Sequence, residues 1–358
     1  MKQTAGLVLL LLLTTCVFAQ QDTTIKEEEM DFSQFSDMDA AAGTKRYCTS
    51  KVLGISPNKL ISIGYDYQLS QQLTNTDPYA TGTDTKLGKA DIQSAGGLRV
   101  VANVPLLSNT KWLVNMGVTY WRNAYSMDTY DNSNYVVRSL KERGLTTSGL
   151  NATVFKPLNE KHFILSFASA DANGDYTFDD DKLMDYLGDP KITVAAFFGW
   201  KRSDRSMIAV GLSRTYRPGA NGIIPLVLFN HTFENRKWGI ESLFPARLAL
   251  RRSFNPRNLL LIGYELEGNS YAILNRTSNV AYNNLELRRS EIRPRITYER
   301  AITDFIWISA QLGYRINYNF NIDQSDSFRF LGDKTAYYMD NTLSNALYVQ
   351  VSLNLVSP

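Results

Sequence analysis

Residues 346–358 read ALYVQVSLNLVSP. Leu347, Val349, Val351, Leu353 and Leu355 alternate with Tyr348, Gln350, Ser352 and Asn354, and no charge interrupts the run. Successive side chains of a strand point to opposite faces, so a clean period of two gives each face its own solvent. One face is greasy and the other polar.

The same pattern recurs upstream. In NKLISIGYDYQLS (58–70), Ile61, Ile63, Tyr65, Tyr67 and Leu69 share one face, and Ser62, Gly64, Asp66 and Gln68 the other. GLRVVANVPLLSNTKWLVNMGVTYW (97–121) reads as a hairpin about Ser108-Asn109-Thr110, with Trp112, Val114, Met116, Val118 and Tyr120 opposed to Asn115, Gly117 and Thr119. Short polar turns follow at 159–161, 203–205, 234–236, 255–257 and 302–304, and long polar loops near 71–87, 127–142, 174–189, 269–283 and 321–342. Short turns on one side and long loops on the other, joined by alternating strands, are the signature of an outer-membrane barrel. Aromatics at the ends of the apolar strips, such as Trp112, Tyr120, Trp200, Tyr314, Tyr318 and Phe320, suit the membrane interfaces. A soluble sandwich also alternates, but it does not call for this asymmetry of turns and loops.

Candidate strands lie at 59–70, 88–107, 110–126, 143–157, 161–175, 190–202, 206–217, 222–233, 237–244, 246–254, 258–274, 284–301, 304–320 and 343–356, fourteen in all. The weak point is WGIESLFPARLALRRSF (238–254), where Pro245 either kinks one long strand or separates two. Proline is disfavoured inside a ladder, so the stretch is split there. The expected fold is an all-β, transmembrane, antiparallel up-and-down barrel of about fourteen strands, with twelve as the alternative. TKRYCTSKVLG (44–54) reads as a further strand or a lead-in.

The remaining features bound the class. The chain has 358 residues, 44% hydrophobic and 20% charged, and a net charge of +3 with no compact basic run, which gives no footprint for nucleic acid. Lys2, the apolar run Leu7–Leu13 and Val17-Phe18-Ala19 form an expected secretion leader, 1–19, cleaved before Gln20. A lipoprotein leader using Cys16 is the rival; Thr15 stands where that signal takes a smaller residue. Cleavage leaves Cys48 as the one cysteine, so no intrachain disulfide is expected. Residues 20–43, acidic and rich in small side chains, read as a flexible periplasmic segment ahead of a barrel at 44–358. No later stretch carries the roughly 18 consecutive apolar residues of a spanning helix.

Alternation also sorts the charges. In LELRRSEIRPRITYER (285–300), Ile292, Pro294, Ile296 and Tyr298 share the lipid face, which turns Arg289, Glu291, Arg293, Arg295 and Glu299 inward. The same rule places Arg247, Arg251, Glu265, Glu267 and Arg315 inside. Such residues either line a charged path for a solute or fill a closed barrel with ion pairs. DANGDYTFDDD (171–181) has the carboxylates of a calcium loop without its spacing, since Gly174 is the fourth residue counting Asp171 as the first, where the loop takes Gly at the sixth, and no Glu closes it at the twelfth; a solvated loop is the simpler reading. The two histidines, His162 and His231, are too few for a multi-histidine metal site, and neither precedes a serine as a wall-borne lipid hydrolase would need. No catalytic residue, metal or cofactor is expected.

LRVVANVPLLSNTKWLVNMGVTYW, RPGANGIIPLVLFNHTFENRKWGIESLFPARLALRRSF and PRNLLLIGYELEGNSYAI resemble a family of bacterial outer-membrane β-barrels, a domain of unknown function common in the Bacteroidetes-type Gram-negative group. The resemblance spans about 45–356, and is sharpest at Pro105, 222–225, 238–245 and 268–271. It implies a cell outer-membrane location and the barrel fold, and no activity. One departure is the end, Leu355-Val356-Ser357-Pro358, where barrels usually place an aromatic for the insertion machinery. The expected partners are outer-membrane lipid, that machinery and a small solute. The leading expectation is passive passage or uptake of the solute. A structural or assembly component that binds another envelope protein is the alternative, and a lipid-modifying enzyme the third.

Overall fold

The computed structural model describes residues 46–76, 88–130, 134–216, 221–324, 334 and 336–357. The expected leader (1–19) and acidic segment (20–43) lie outside the described residues. Sixteen strands form one sheet. They are β1 (Lys59–Gln68), β2 (Gln71–Asn75), β3 (Gly88–Ser108), β4 (Leu113–Tyr130), β5 (Leu145–Pro157), β6 (His162–Gly174), β7 (Lys191–Ser203) and β8 (Ser206–Thr215). The second half holds β9 (Gly222–Thr232), β10 (Trp238–Phe244), β11 (Arg247–Asn255), β12 (Asn258–Ile273), β13 (Leu285–Ala301), β14 (Ile306–Gln324), β15 (Asn341–Leu343) and β16 (Ala346–Val356). β1 and β2 are two parts of one crossing, as are β15 and β16, so the wall is a closed antiparallel barrel of fourteen crossings.

Closure rests on the two ends of the chain. β1 pairs antiparallel with β16, Ile63 opposite Leu353 and Tyr65 opposite Val351, while its other edge pairs with β3. β16 shows the alternation at its cleanest: each residue from Ala346 to Val356 switches between buried and exposed. The exposed set is Leu347, Val349, Val351, Leu353 and Leu355, an apolar surface that water does not stabilise and lipid does. The proline-split stretch is two strands, with β10 ending at Phe244 and β11 starting at Arg247.

Two of the stretches read as polar loops contain helices. The first, α1 (Tyr135–Glu142), starts at Asn134, whose side chain accepts from the Val137 N–H, and is followed by Gly144 at φ +73°. Its Val136, Val137 and Leu140 are fully buried with Leu73, Ile92, Tyr271, Leu287, Phe320 and Ile322, all inward-facing on the long-loop half of the wall. At about 1.5–3 kcal/mol per buried aliphatic side chain, this apolar roof is a substantial part of the fold's stability. The second helix, α2 (Leu183–Gly188), brings Tyr186 against Asp175. At the same end, opposite walls touch: Gly174 of β6 bridges Ala272 of β12.

The loops at this end are clasped by charge. Asp175 is fully buried and accepts from Ser139, from the Tyr186 hydroxyl at 2.5 Å and from the Leu274 N–H at 3.3 Å. Arg276 meets Asp175 at 3.2 Å and Asp180 at 2.5 Å, and Arg143 meets Asp180 at 3.0 Å. Burial pushes the Asp175 carboxyl above the usual carboxylate range, against these donors. Burial also opposes ionisation of Asp180, but the Lys182 N–H and Arg276 outweigh it and hold that carboxyl low. The stretch with calcium-loop composition is thus committed to arginine.

The opposite end is covered by residues 46–58, which form no strand. The Cys48 N–H reaches the Asn159 carbonyl at 3.0 Å in the β5–β6 turn, and the Leu53 N–H the Asp204 carbonyl at 2.7 Å in the β7–β8 turn. Ser56 donates to Glu241 of β10 at 2.9 Å through both its N–H and its hydroxyl. The Asn58 carbonyl accepts from the Ser357 N–H at 3.0 Å. The segment therefore runs from the β5–β6 turn past β7, β8 and β10 to β1, across the barrel mouth. Cys48 and Val52 pack on Phe155, Phe163, Phe197, Met207 and Leu226 inside the wall.

Two outcomes follow. Val351→Arg, on the lipid face, lowers stability by about 2–4 kcal/mol in unfolding titrations from bilayers, and Asn115→Arg, on the opposite face of β4, by far less; equal losses would mean that the faces are misassigned. Arg276→Met strands the buried Asp175 charge and costs about 3–5 kcal/mol at neutral pH. A carboxyl with a raised pKa supports the fold while protonated and loses that support as pH rises through the pKa. The gap in melting temperature between wild type and Arg276→Met therefore narrows from about pH 7 to about pH 5, and a gap that widens in acid contradicts the clasp.

Candidate functional site: a polar chamber inside the barrel

Between roof and floor lies a cavity of about 490 Å³, within the size range of small-ligand sites. β3 contributes Arg99, Val101 and Asn103; β4 Asn115, Thr119 and Trp121; β5 Thr147, Asn151 and Thr153. β6 adds Phe167, Ser169 and Asp171, β11 Arg247, and β12 the run Glu265–Asn269. Asn58 of the floor segment lines it too. Along each of β3 to β6 these are every second residue, which is why the strand period delivers them to one space. Gly117, on the same face of β4, leaves the room: a Cβ there would collide with the amides of Asn103 and Asn151.

One side of the chamber is a web of ion pairs. Arg315 joins Asp66 at 2.7 Å and Glu291 at 2.7 Å, and all three are essentially without solvent contact. Arg289 meets Glu291 at 2.8 Å, and Arg293 meets Glu291 at 3.7 Å and Glu265 at 3.3 Å. Arg293 also contacts Glu267, and Arg295 contacts Glu265. Arg99 of β3 reaches Glu267 of β12 at 3.3 Å, so the web spans the lumen as well as following the wall. Trp121 lies between two guanidinium groups, Arg99 at 5.3 Å and Arg289 at 5.6 Å from its ring centre.

The ten charged residues singled out in sequence fall into separate groups. Arg289, Glu291, Arg293, Arg295, Arg315, Glu265 and Glu267 share the web. Glu299 sits apart with Lys59 at 2.5 Å. Arg251 binds Glu241 at 2.9 Å and Thr232 at 2.8 Å, next to the floor. Arg247 lines the chamber and forms no ion pair among the described residues. Asp66 and Arg99 complete the web and were not singled out, although each stands on the polar face of an alternating strand. His162 binds Asn159 at 3.0 Å in a turn, and His231 stacks on Phe229 and meets Phe233 edge-on; neither lines the chamber.

The floor is held from the wall by one lysine. Nζ of Lys201 on β7 donates to the Thr49 hydroxyl at 2.5 Å, the Lys51 carbonyl at 2.6 Å and the Thr49 carbonyl at 3.1 Å. Cys48 is buried beside it, and burial pushes its thiol above the ordinary range. The sequence gives little sign of this arrangement, since 46–58 does not alternate and its partners lie more than a hundred residues away.

Solved structures similar to the chain include the COG4313 outer membrane channel from Pseudomonas putida F1, at 12% identity over 85% of this chain and 97% of that one, with a TM-score of 0.35. A KdgM porin in complex with disordered oligogalacturonate follows at 8% identity, 83% and 99% coverage and a TM-score of 0.31. The Pseudomonas putida toluene transporter TodX gives 10% identity, 88% and 96% coverage and a TM-score of 0.30. At these values the likenesses carry no argument about cargo. No curated protein matches the chain. The sequence pattern of DUF6268, a domain of unknown function, matches residues 61–356, and the chain belongs to that family.

Proposed function

We propose that this protein is an outer-membrane barrel that passes a small polar solute through its internal chamber, with residues 46–58 as the movable floor. The location is supported by the belt of exposed Leu, Val, Ile and aromatic side chains around a closed wall, a surface suited to lipid. The observation that carries the function is the chamber itself. A barrel filled only for strength has no need to keep a space of about 490 Å³ lined with amides, hydroxyls and charges.

The two ends differ in what holds them. The roof is an apolar core built into the wall and α1. The Gly174–Ala272 contact leaves the β7–β9 side of that end outside this core, and there the inner face carries Thr193, Ser213 and Thr215. The floor is a short segment held by a lysine and a few exchangeable hydrogen bonds. Hydrogen bonds to a charged group contribute about 1.5–3 kcal/mol each, so losing those of Lys201 shifts the floor population by about tenfold or more.

Wild-type protein in planar bilayers is therefore nearly silent, and Lys201→Met with Ser56→Ala, which leaves the Glu241–Arg251 pair in place, raises the open probability by about tenfold. Cys48, the one cysteine among the described residues, reports the same event: a maleimide labels it slowly in wild type and rapidly in the double variant. Rapid labelling without conductance would show a released floor and no path, and would favour a structural role for the barrel.

A further inference from the structure

Resting on that reading, we infer that the chamber is a binding site for a small polyhydroxylated solute carrying one negative charge, with Arg247 as the partner of its carboxylate. Two observations converge on this. The first is charge. The chamber's own carboxylates, Glu265 and Glu267, are held by Arg293, Arg295 and Arg99. Asp171, the third, accepts from the Ser169 hydroxyl at 2.9 Å and faces Lys191 across the β6–β7 ladder. The lining carries Arg99 and Arg247 against Asp171, Glu265 and Glu267, and the web behind it adds Arg289, Arg293, Arg295 and Arg315 against Asp66 and Glu291, so six arginines against five carboxylates leave one positive charge over. Arg247 stands exposed opposite Glu265 in the β11–β12 ladder and makes no ion-pair contact among the described residues, and an arginine fork so placed suits a carboxylate, which it holds by two parallel hydrogen bonds.

The second is the remaining lining. Asn103, Asn115 and Asn151 all face the space, and none forms a side-chain hydrogen bond among the described residues. An amide both donates and accepts, as a hydroxyl does, so a cluster of free amides complements a polyol better than an apolar or purely ionic ligand. Gly117 keeps two of these amides convergent, since any side chain there would push them apart.

The test is calorimetric titration of the purified full-length mature protein in detergent, wild type and Lys201→Met/Ser56→Ala, with D-glucuronate, D-glucose and L-alanine as probes. Glucuronate is expected to bind at least about tenfold more tightly than glucose or alanine. Arg247→Gln is expected to remove that preference with little change in melting temperature, because Arg247 is exposed and is drawn to Glu265 across the ladder without an ion-pair contact. Asn115→Ala is expected to weaken glucuronate and glucose alike. Equal binding of glucuronate and glucose, tighter binding of alanine, no binding of glucuronate to the floor-released variant, or an Arg247→Gln protein that keeps the preference would each overturn the inference. These outcomes are separate from conductance: a barrel that conducts on floor release but ignores glucuronate refutes the ligand class alone, and one that binds glucuronate yet never conducts refutes passage alone.

Discussion

A wall in lipid can leave no backbone donor or acceptor unpaired, because nothing in hydrocarbon will bond it. Everything else here depends on meeting that condition with a single chain. The two edges that a meander of strands leaves free are β1 and β16, and the register Tyr65–Val351 joins them. Once the ring is closed, alternation is no longer optional: a slip of one residue would send Leu347, Val349 and Val351 inward and Gln350, Ser352 and Asn354 into lipid. The same parity that keeps the outside greasy gathers asparagines and arginines within, so the chamber follows from the wall.

Gathering charges inside raises a second demand. Arg289, Arg293 and Arg315 are almost wholly removed from solvent, and isolated ions in such a place would be strongly destabilising. They are tolerated because each faces a carboxylate: Arg315 meets Asp66 on β1 and Glu291 on β13, Arg293 meets Glu265 and Glu267 on β12, and Arg289 meets Glu291 two residues along its own strand. Register supplies part of this directly, since Glu265 lies opposite Arg293 and Glu267 opposite Glu291 in the β12–β13 ladder. The pair of like charges at that second rung would repel if left alone. Arg293 and Arg99 stand against Glu267, and Arg289 and Arg315 against Glu291. The web is thus a consequence of register, and it ties β1, β3 and β12–β14 into one rigid flank beside a softer, amide-lined space.

The wall was legible in the sequence because two solvents enforce a period of two, which survives in a single chain without comparison. The split at Pro245 was legible because proline is disfavoured inside a ladder, and β10 does stop at Phe244; Pro105, Pro225 and Pro294 nevertheless stand within β3, β9 and β13, so proline alone does not end a strand here. Helix α1 was missed although Asn134, the buried set Val136, Val137 and Leu140, and Gly144 give a cap, a helical stripe and a stop. Its polar approach, DTYDNSN, reads as loop, and eight residues are too few for periodicity to dominate. The web was half visible, since alternation marks direction but not partners. Asp66 and Arg99 carried the same signal as Arg289 and simply lay on less conspicuous strands. The floor was invisible because nothing local specifies it: Thr49 and Lys51 acquire meaning only from a lysine on β7.

The chemistry of the two ends then decides where exchange is easier. Lifting α1 would bring Val136, Val137 and Leu140 into water together with the wall residues they cover, and the loss scales with apolar area. It would also break the Arg276 clasp, where a buried Asp175 has no other cation among the described residues. Lifting the floor exposes Cys48, Val52 and part of Ile55, but its polar bonds are mostly from Lys201, Thr232 and Ser56, groups that water rehydrates at little net loss. Glu241 keeps Arg251 as its partner when Ser56 leaves, so no buried charge is orphaned. The floor is therefore the end that can open without dismantling the barrel, and the amide-lined space lies directly behind it, with Asn58 belonging to both.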